Sequence, residues 1–265
     1  RLSALAPKAA PAVTSGEPLL DLKGFRCGRV QDVSLTIRPG EVVGLYGLVG
    51  SGRSTLGRAL GGHFRFQAER LRVAGKDIAV RSPGEAIAAG LCYLTEDRHR
   101  EGFVKDFTNQ ANMSLVVLST LARRSVVDRR EEARLGTRLI EQFQIKGTLE
   151  GMTSNLSGGN QQKVCVAKWA PSPAEVFIID EPTKGVDVGA KRQIYGIIEE
   201  FAKAGKAILL ISSEAEEIMH LADRTLVMVE YHVAEEFRAG EYDKTQLISV
   251  ALGDEVRRRR AAGGN

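Results

Sequence analysis

At 265 residues the chain has room for one sizeable α/β core with a smaller subdomain. Its net charge of +4 sets 37 basic against 33 acidic residues, and Arg257, Arg258, Arg259 and Arg260 supply the whole excess; the rest is balanced, and no nucleic-acid partner is expected. No apolar run approaches the roughly 18 residues of a membrane span, and Cys27, Cys92 and Cys165, odd in number and without a CxxC pair, suit a reducing compartment better than disulfides or a metal site.

In chain order, residues 1–17 are rich in Ala and Pro, without helical or strand period, and read as a linker. Pro7, Lys8 and Pro11 interrupt any signal-peptide core, and the start at Arg1 is expected of a fragment of a longer chain. Val33, Leu35 and Ile37 alternate with polar residues, and Arg38, Pro39 and Gly40 turn the chain into a buried strand from Glu41 to Tyr46. Gly47, Leu48, Val49, Gly50, Ser51, Gly52, Arg53, Ser54 and Thr55 follow, and then a helix whose apolar positions are Leu56, Ala59 and Leu60.

Strand, glycine-rich loop and helix in that order form a phosphate cradle. The glycines let backbone N–H groups turn inward around phosphate oxygens, and the positive end of the helix adds to the field. The Ser54 hydroxyl is placed to ligate Mg2+. The lysine of this motif is replaced by Arg53, a planar fork in place of a compact ammonium.

From about residue 102 to 155 the pattern becomes helical, with Leu115, Leu118 and Leu121 and then Leu135, Leu139 and Phe143 at helical spacing, as in a small subdomain. Ser157, Gly158 and Gly159 open a further helix, with Ser157 placed to cap it, and form a second phosphate-binding helix terminus. One γ-phosphate needs one such cradle, so the second is expected to face a nucleotide held by another subunit. Val176 to Ile179 then read as a buried strand delivering Asp180 and Glu181 at its tip: Asp180 near Mg2+, Glu181 placed to orient or deprotonate an attacking water. Ala207 to Ser212 and Thr225 to Val229 supply further strands of a sheet wrapped on both faces. The hairpin after Met228 lacks the glycine such a turn favours and offers Glu230, Tyr231 and His232 instead. The terminal arginines read as a disordered, solvated tail over 253–265.

Together, Gly47 to Thr55, Tyr93 to Gly102 (YLTEDRHREG), Leu156 to Val164 (LSGGNQQKV), Asp180 to Ala190 (DEPTKGVDVGA) and Ile211 to Glu214 resemble the nucleotide-binding domain of ABC transporters over 18–252. The resemblance is closest to the second cassette of the tandem ATPases of bacterial monosaccharide importers of the ribose, galactose and xylose type. It implies a P-loop NTPase fold with a mixed core sheet, an antiparallel β flank and a helical subdomain, with ATP and Mg2+ as ligands. It makes residues 1–17 the linker from a preceding cassette and Phe25 the aromatic stacked on adenine, ahead of Val30. Asp187 becomes the loop meeting a second cassette. Glu96 stands where most cassettes carry a glutamine that contacts Mg2+ and the attacking water, and Ser213 where most carry a histidine at the γ-phosphate. The implied partners are a first cassette of the same chain or a homodimer copy, permease subunits docking by coupling helices near Glu96 to Phe107, and indirectly a periplasmic or extracellular sugar-binding protein. The place is the cytoplasmic face of the bacterial inner membrane.

Two functions follow from that resemblance. One is an ATPase cassette that couples ATP hydrolysis to monosaccharide import and donates its signature, Ser157 to Gly159, to the partner's site. The other is a largely non-hydrolytic regulatory cassette, because Arg53, Glu96 and Ser213 all depart from the usual pattern, and losing a positioned acid or base costs roughly 10² to 10⁴ in rate.

Overall fold

A computed structural model of the protein describes residues 6–10 and 16–253; the arginines 257–260 and most of the expected linker lie outside the described residues. The described residues divide into two compact units: those up to 93, with 175–181 and those from 198 on, form one, and residues 94–174 and 182–197 form the other.

The first unit is built on a mixed sheet in the order His232–Arg238, Arg224–Val229, Val42–Gly47, Ala207–Ser212, Val176–Asp180, Leu91–Leu94. Val42–Gly47, Val176–Asp180 and Ala207–Ser212 are buried at every position, the pattern expected of parallel strands covered on both faces. Their register sets Ile211 opposite both Leu45 and Asp180, so three adjacent parallel strands end at one edge. An antiparallel sheet of Val30–Ile37, Leu20–Cys27, Arg70–Val73 and Lys76–Asp77 forms the flank. Leu20, Phe25, Val33 and Ile37 from that flank share one apolar core with Leu45, Leu56 and Leu60.

Residues 6–10, within the expected linker, are held against the first unit. Lys8 donates its N–H to the Met219 carbonyl, and its ammonium lies 2.6 Å from Asp223. Asp223 is buried, and its other oxygen accepts the Val42 N–H at 2.8 Å. A buried carboxylate needs such partners, and Lys8 reaches it from far along the chain, which no local pattern reveals.

The second unit differs from the expected helical block in extent and content. It reaches from 94 to 174, takes in 182–197, and contains a short hairpin of Ala122–Arg123 and Val126–Val127 beside the helices Asn109–Ser114, Arg129–Gln142 and Gly158–Ala167. Buried polar groups knit it together. Asn112 Nδ2 donates to Thr153 Oγ1 at 2.9 Å, Thr153 Oγ1 donates to Asn109 Oδ1 at 2.9 Å, and Asn109 Nδ2 donates to the Thr148 carbonyl at 2.8 Å. Burial alone would raise the Glu132 carboxyl, but hydrogen bonds from Ser114, Gln110 and Arg129 outweigh it and hold the group below its ordinary value. All three cysteines are buried thiols outside any disulfide, and burial pushes the Cys165 thiol up to about 11, leaving it without thiolate reactivity.

Two outcomes are expected. Asp223→Ala leaves the Val42 N–H without its acceptor and removes the Lys8 ion pair, and should cost about 2–4 kcal/mol in urea unfolding, whereas Lys8→Ala, at a part-exposed partner, should cost about 1 kcal/mol. A depressed carboxyl contributes stability that is fully present above the ordinary glutamate range and is lost as pH falls through the lowered folded-state pKa, so Glu132→Gln should be destabilising at neutral pH and progressively less so in acid, read by urea unfolding across pH.

Candidate active site

In the first unit the strand Val42–Gly47 releases the chain at a point where no side chain fits: a Cβ on Gly47 would meet the Met228 carbonyl oxygen at 2.5 Å. Gly50 and Gly52 take φ of 87° and 105°, left-handed values that glycine adopts without penalty. The loop thereby turns into the helix Arg53–Leu60, which has no side-chain cap and no acidic residue in its first turn. Its positive end is left for an anion.

Two buried atoms mark where that anion belongs. Ser51 and Arg53 are 7% and 5% exposed, and Ser51 Oγ and Arg53 Nε have no hydrogen-bond partner. Phosphate oxygens would satisfy both, so the residues present fit a nucleotide phosphate chain.

The carboxylates meet the loop from the neighbouring strands. Asp180, 1% exposed, accepts from Ser54 Oγ at 3.2 Å and from the Tyr93 hydroxyl at 3.0 Å through different oxygens. A hydroxyl and a carboxylate side by side suit Mg2+, which takes its remaining ligands from phosphate and water; the described residues hold no cluster of three or more His, Cys, Asp or Glu that would cage a metal alone. Glu181 has φ 48°, and its N–H is donated to the Ile211 carbonyl at 2.9 Å. Its Oε1 accepts from Arg53 Nη1 at 3.3 Å and from the Ser213 N–H at 2.8 Å. Ser213 meets Glu181 here through its backbone N–H. Its side chain is exposed.

The second unit gathers the other predicted residues. Ser157 stands at the N-cap of Gly158–Ala167 but makes no capping bond; its hydroxyl accepts from Asn160 Nδ2 at 2.9 Å instead. The two signature glycines serve packing within the unit. A Cβ on Gly159 would lie 2.5 Å from the Ala190 Cβ, and one on Gly158 would lie 3.0 Å from Arg98 Nη2. Arg98 donates to the carbonyls of Lys184 and Gly185 at 2.7 and 3.2 Å, Glu96 forms an ion pair with Lys184, and Asp187 accepts the Ala190 N–H at 2.9 Å. The signature and the Lys184–Asp187 loop are one packed assembly.

The family model described as ABC transporter matches residues 30–184. This chain belongs to that family. The ribose import ATP-binding protein RbsA of Bacillus subtilis (strain 168) is 39% identical over 249 residues, 93% of this chain and 50% of its own length. Ribose import ATP-binding protein RbsA 3 of Rhizobium etli is 39% identical over 256 residues, 96% of this chain and 48% of its own. The chain thus spans about half the length of the curated relatives it matches. The structure of cbiO1 from Clostridium perfringens, part of the ABC transporter complex cbiONQ, matches with a TM-score of 0.73 over 92% of this chain and 97% of that one at 18% identity, a likeness of fold.

Within this ABC family fold one assignment fails. Phe25 is fully buried against Phe66, with ring centroids 5.1 Å apart, and Val30 is 1% exposed, so neither has a face for adenine. The family resemblance implies Phe25 for the adenine, but the register shifts between Leu22 and Cys27 turn it into the core. Tyr93 and Arg98 were missed as site residues, although both lie in the YLTEDRHREG segment, because their partners are far away in sequence.

Gly159→Ala places a methyl against Ala190 and should destabilise the second unit by about 1–3 kcal/mol. Ala190→Gly in the same chain should restore most of the loss, measured by thermal unfolding; a failure to rescue would assign the cost elsewhere.

Proposed function

We propose that this chain is the ATP-handling cassette of a monosaccharide importer, peripheral to the cytoplasmic face of the membrane, binding ATP and working against a second cassette and a permease supplied by other segments or chains. The names of its relatives support ribose as the class of cargo. Among the described residues no helix is long and apolar enough to cross a membrane, which suits a reading in which other subunits carry the sugar. A sugar-binding protein would select the cargo outside.

The observation that carries the reading is the pair of unpartnered buried atoms, Ser51 Oγ and Arg53 Nε, at the uncapped helix terminus beside Asp180 and Glu181. Gly47 to Gly52 would wrap the phosphates with N–H groups, and Arg53 would add charge. Ser54 and Asp180 would hold Mg2+, which when bound offsets phosphate charge and polarises the γ-phosphoryl group. Glu181 would orient the attacking water or take its proton. Ser157, Gly158 and Gly159 would complete the γ-phosphate site of the partner cassette, with Asp187 at that contact.

A specific observation favours slow turnover at the local site. Glu181 Oε1 already accepts two donors, Arg53 Nη1 and the Ser213 N–H, so that oxygen is engaged before any water arrives. Glu96, predicted near Mg2+, is engaged by Lys184. The local site would therefore bind ATP and hold the dimer while the partner site does most of the chemistry.

The purified chain should bind Mg-ATP in equilibrium dialysis yet release phosphate no faster than Glu181→Gln. Added to a cassette with an intact lysine loop, it should raise that partner's phosphate release, and Ser157→Arg should abolish the rise. Turnover by the chain alone that vanishes in Glu181→Gln would overturn the slow-site reading, and absence of any rise would overturn signature donation.

A further inference from the structure

Phe25 and Val30 are buried, so neither offers the nucleotide base a stacking surface. The aromatic ring that does lie against the phosphate loop is Tyr231. We propose that Arg29 and Tyr231 form the base-recognition platform of this chain, a purine stacking on the Arg29 guanidinium where it lies over the Tyr231 ring, in the cavity of about 360 Å³ beside the phosphate loop. This rests on the nucleotide-binding reading above.

The platform is built by a turn that keeps a bulky residue where glycine is usual. Glu230 and Tyr231 join Arg224–Val229 to His232–Arg238 with φ of 45° and 73°, both left-handed, a conformation that two-residue hairpins normally assign to Asn and Gly. A tyrosine persists in such a place only when its surroundings hold it. Here the Tyr231 N–H donates to the Ser51 carbonyl at 3.0 Å, and its own carbonyl accepts the Gln31 N–H at 3.2 Å. The ring lies so close to the loop that a Cβ on Gly52 would meet Tyr231 Cδ1 at 3.1 Å. The turn is therefore bonded on one side to the phosphate loop and on the other to the strand that follows Arg29.

Arg29 completes it. Its guanidinium carbon lies 4.1 Å from the Tyr231 ring centroid, and the side chain is exposed, so a planar base has access to it. Guanidinium planes stack on rings and on bases alike. The cavity wall also takes in Leu48, Val49, Ser51 and Leu252, an apolar surface with one unpartnered hydroxyl, and its volume lies within the roughly 300–1,000 Å³ of small-ligand sites. Such a mixture suits a base and ribose better than another phosphate. Because Ser51 belongs both to this wall and to the phosphate loop, one nucleotide would span the two.

The test compares binding of Mg-ATP with binding of Mg-tripolyphosphate, which has the phosphates and no base, by titration calorimetry on the whole chain. Arg29→Ala removes the platform, Arg29→Lys keeps the charge without the plane, and Tyr231→Gly suits the left-handed turn and so preserves the fold. Each should weaken ATP binding roughly 5- to 50-fold while leaving tripolyphosphate binding unchanged; the retained tripolyphosphate binding also shows that the variant is folded. Unchanged ATP affinity in all three, or a parallel fall for both ligands, overturns the platform. A natural chain that binds tripolyphosphate as tightly as ATP also overturns it while leaving phosphate recognition standing. A natural chain that binds neither ligand removes the nucleotide reading itself, and the platform with it.

Discussion

Every functional group in the first unit depends on the register of three parallel strands. Because Ile211 stands opposite both Leu45 and Asp180, the ends of Val42–Gly47, Ala207–Ser212 and Val176–Asp180 coincide, and the chain leaves all three at the same edge. The phosphate loop, the Asp180–Glu181 pair and the Ser213 N–H are brought to one place by backbone hydrogen bonds alone. A slip of one residue would invert the side chains of a strand and carry Asp180 away from Ser54. Burial of all three strands on both faces is what makes such a slip costly.

On that edge the charges are already partly matched. Arg53, in the place of the usual lysine, is long and forked enough to touch Glu181 with one nitrogen while another nitrogen remains buried and unpartnered. A phosphate arriving there meets a guanidinium that can keep its carboxylate partner and still supply a hydrogen bond. The arrangement leaves one guanidinium nitrogen available to an anion while another stays on the carboxylate.

The second unit adds buried amides and small residues at close contacts to an apolar core that includes Met113, Leu139, Phe143 and Val164. Asn109, Asn112 and Thr153 satisfy one another and nearby carbonyls, and a half-satisfied network of this kind would be worse than none. Gly158 and Gly159 are small because Arg98 and Ala190 of the same unit press against them. Arg98 in turn holds the carbonyls of Lys184 and Gly185, so whatever the signature contacts, the loop leading to Asp187 is packed with it.

Much of the candidate site was legible because its information is local. A glycine loop between a buried strand and a helix, and an apolar run ending in Asp180 and Glu181, declare their chemistry through spacing, and alternation along Val30–Ile37 declares the flank. Only the tertiary structure decided the pairings: Lys8 with Asp223, Tyr93 with Asp180, Arg53 with Glu181, and the Ser213 N–H with the Glu181 carboxylate. It also moved Phe25 into the core and set Arg29 over Tyr231. The physical reason is the same in each case. Periodicity and turn chemistry act between neighbours in sequence, whereas burial and ion pairing join groups brought together only after the sheet has closed, and a register shift of one strand or a strained turn of two residues is enough to choose which side chain meets the ligand.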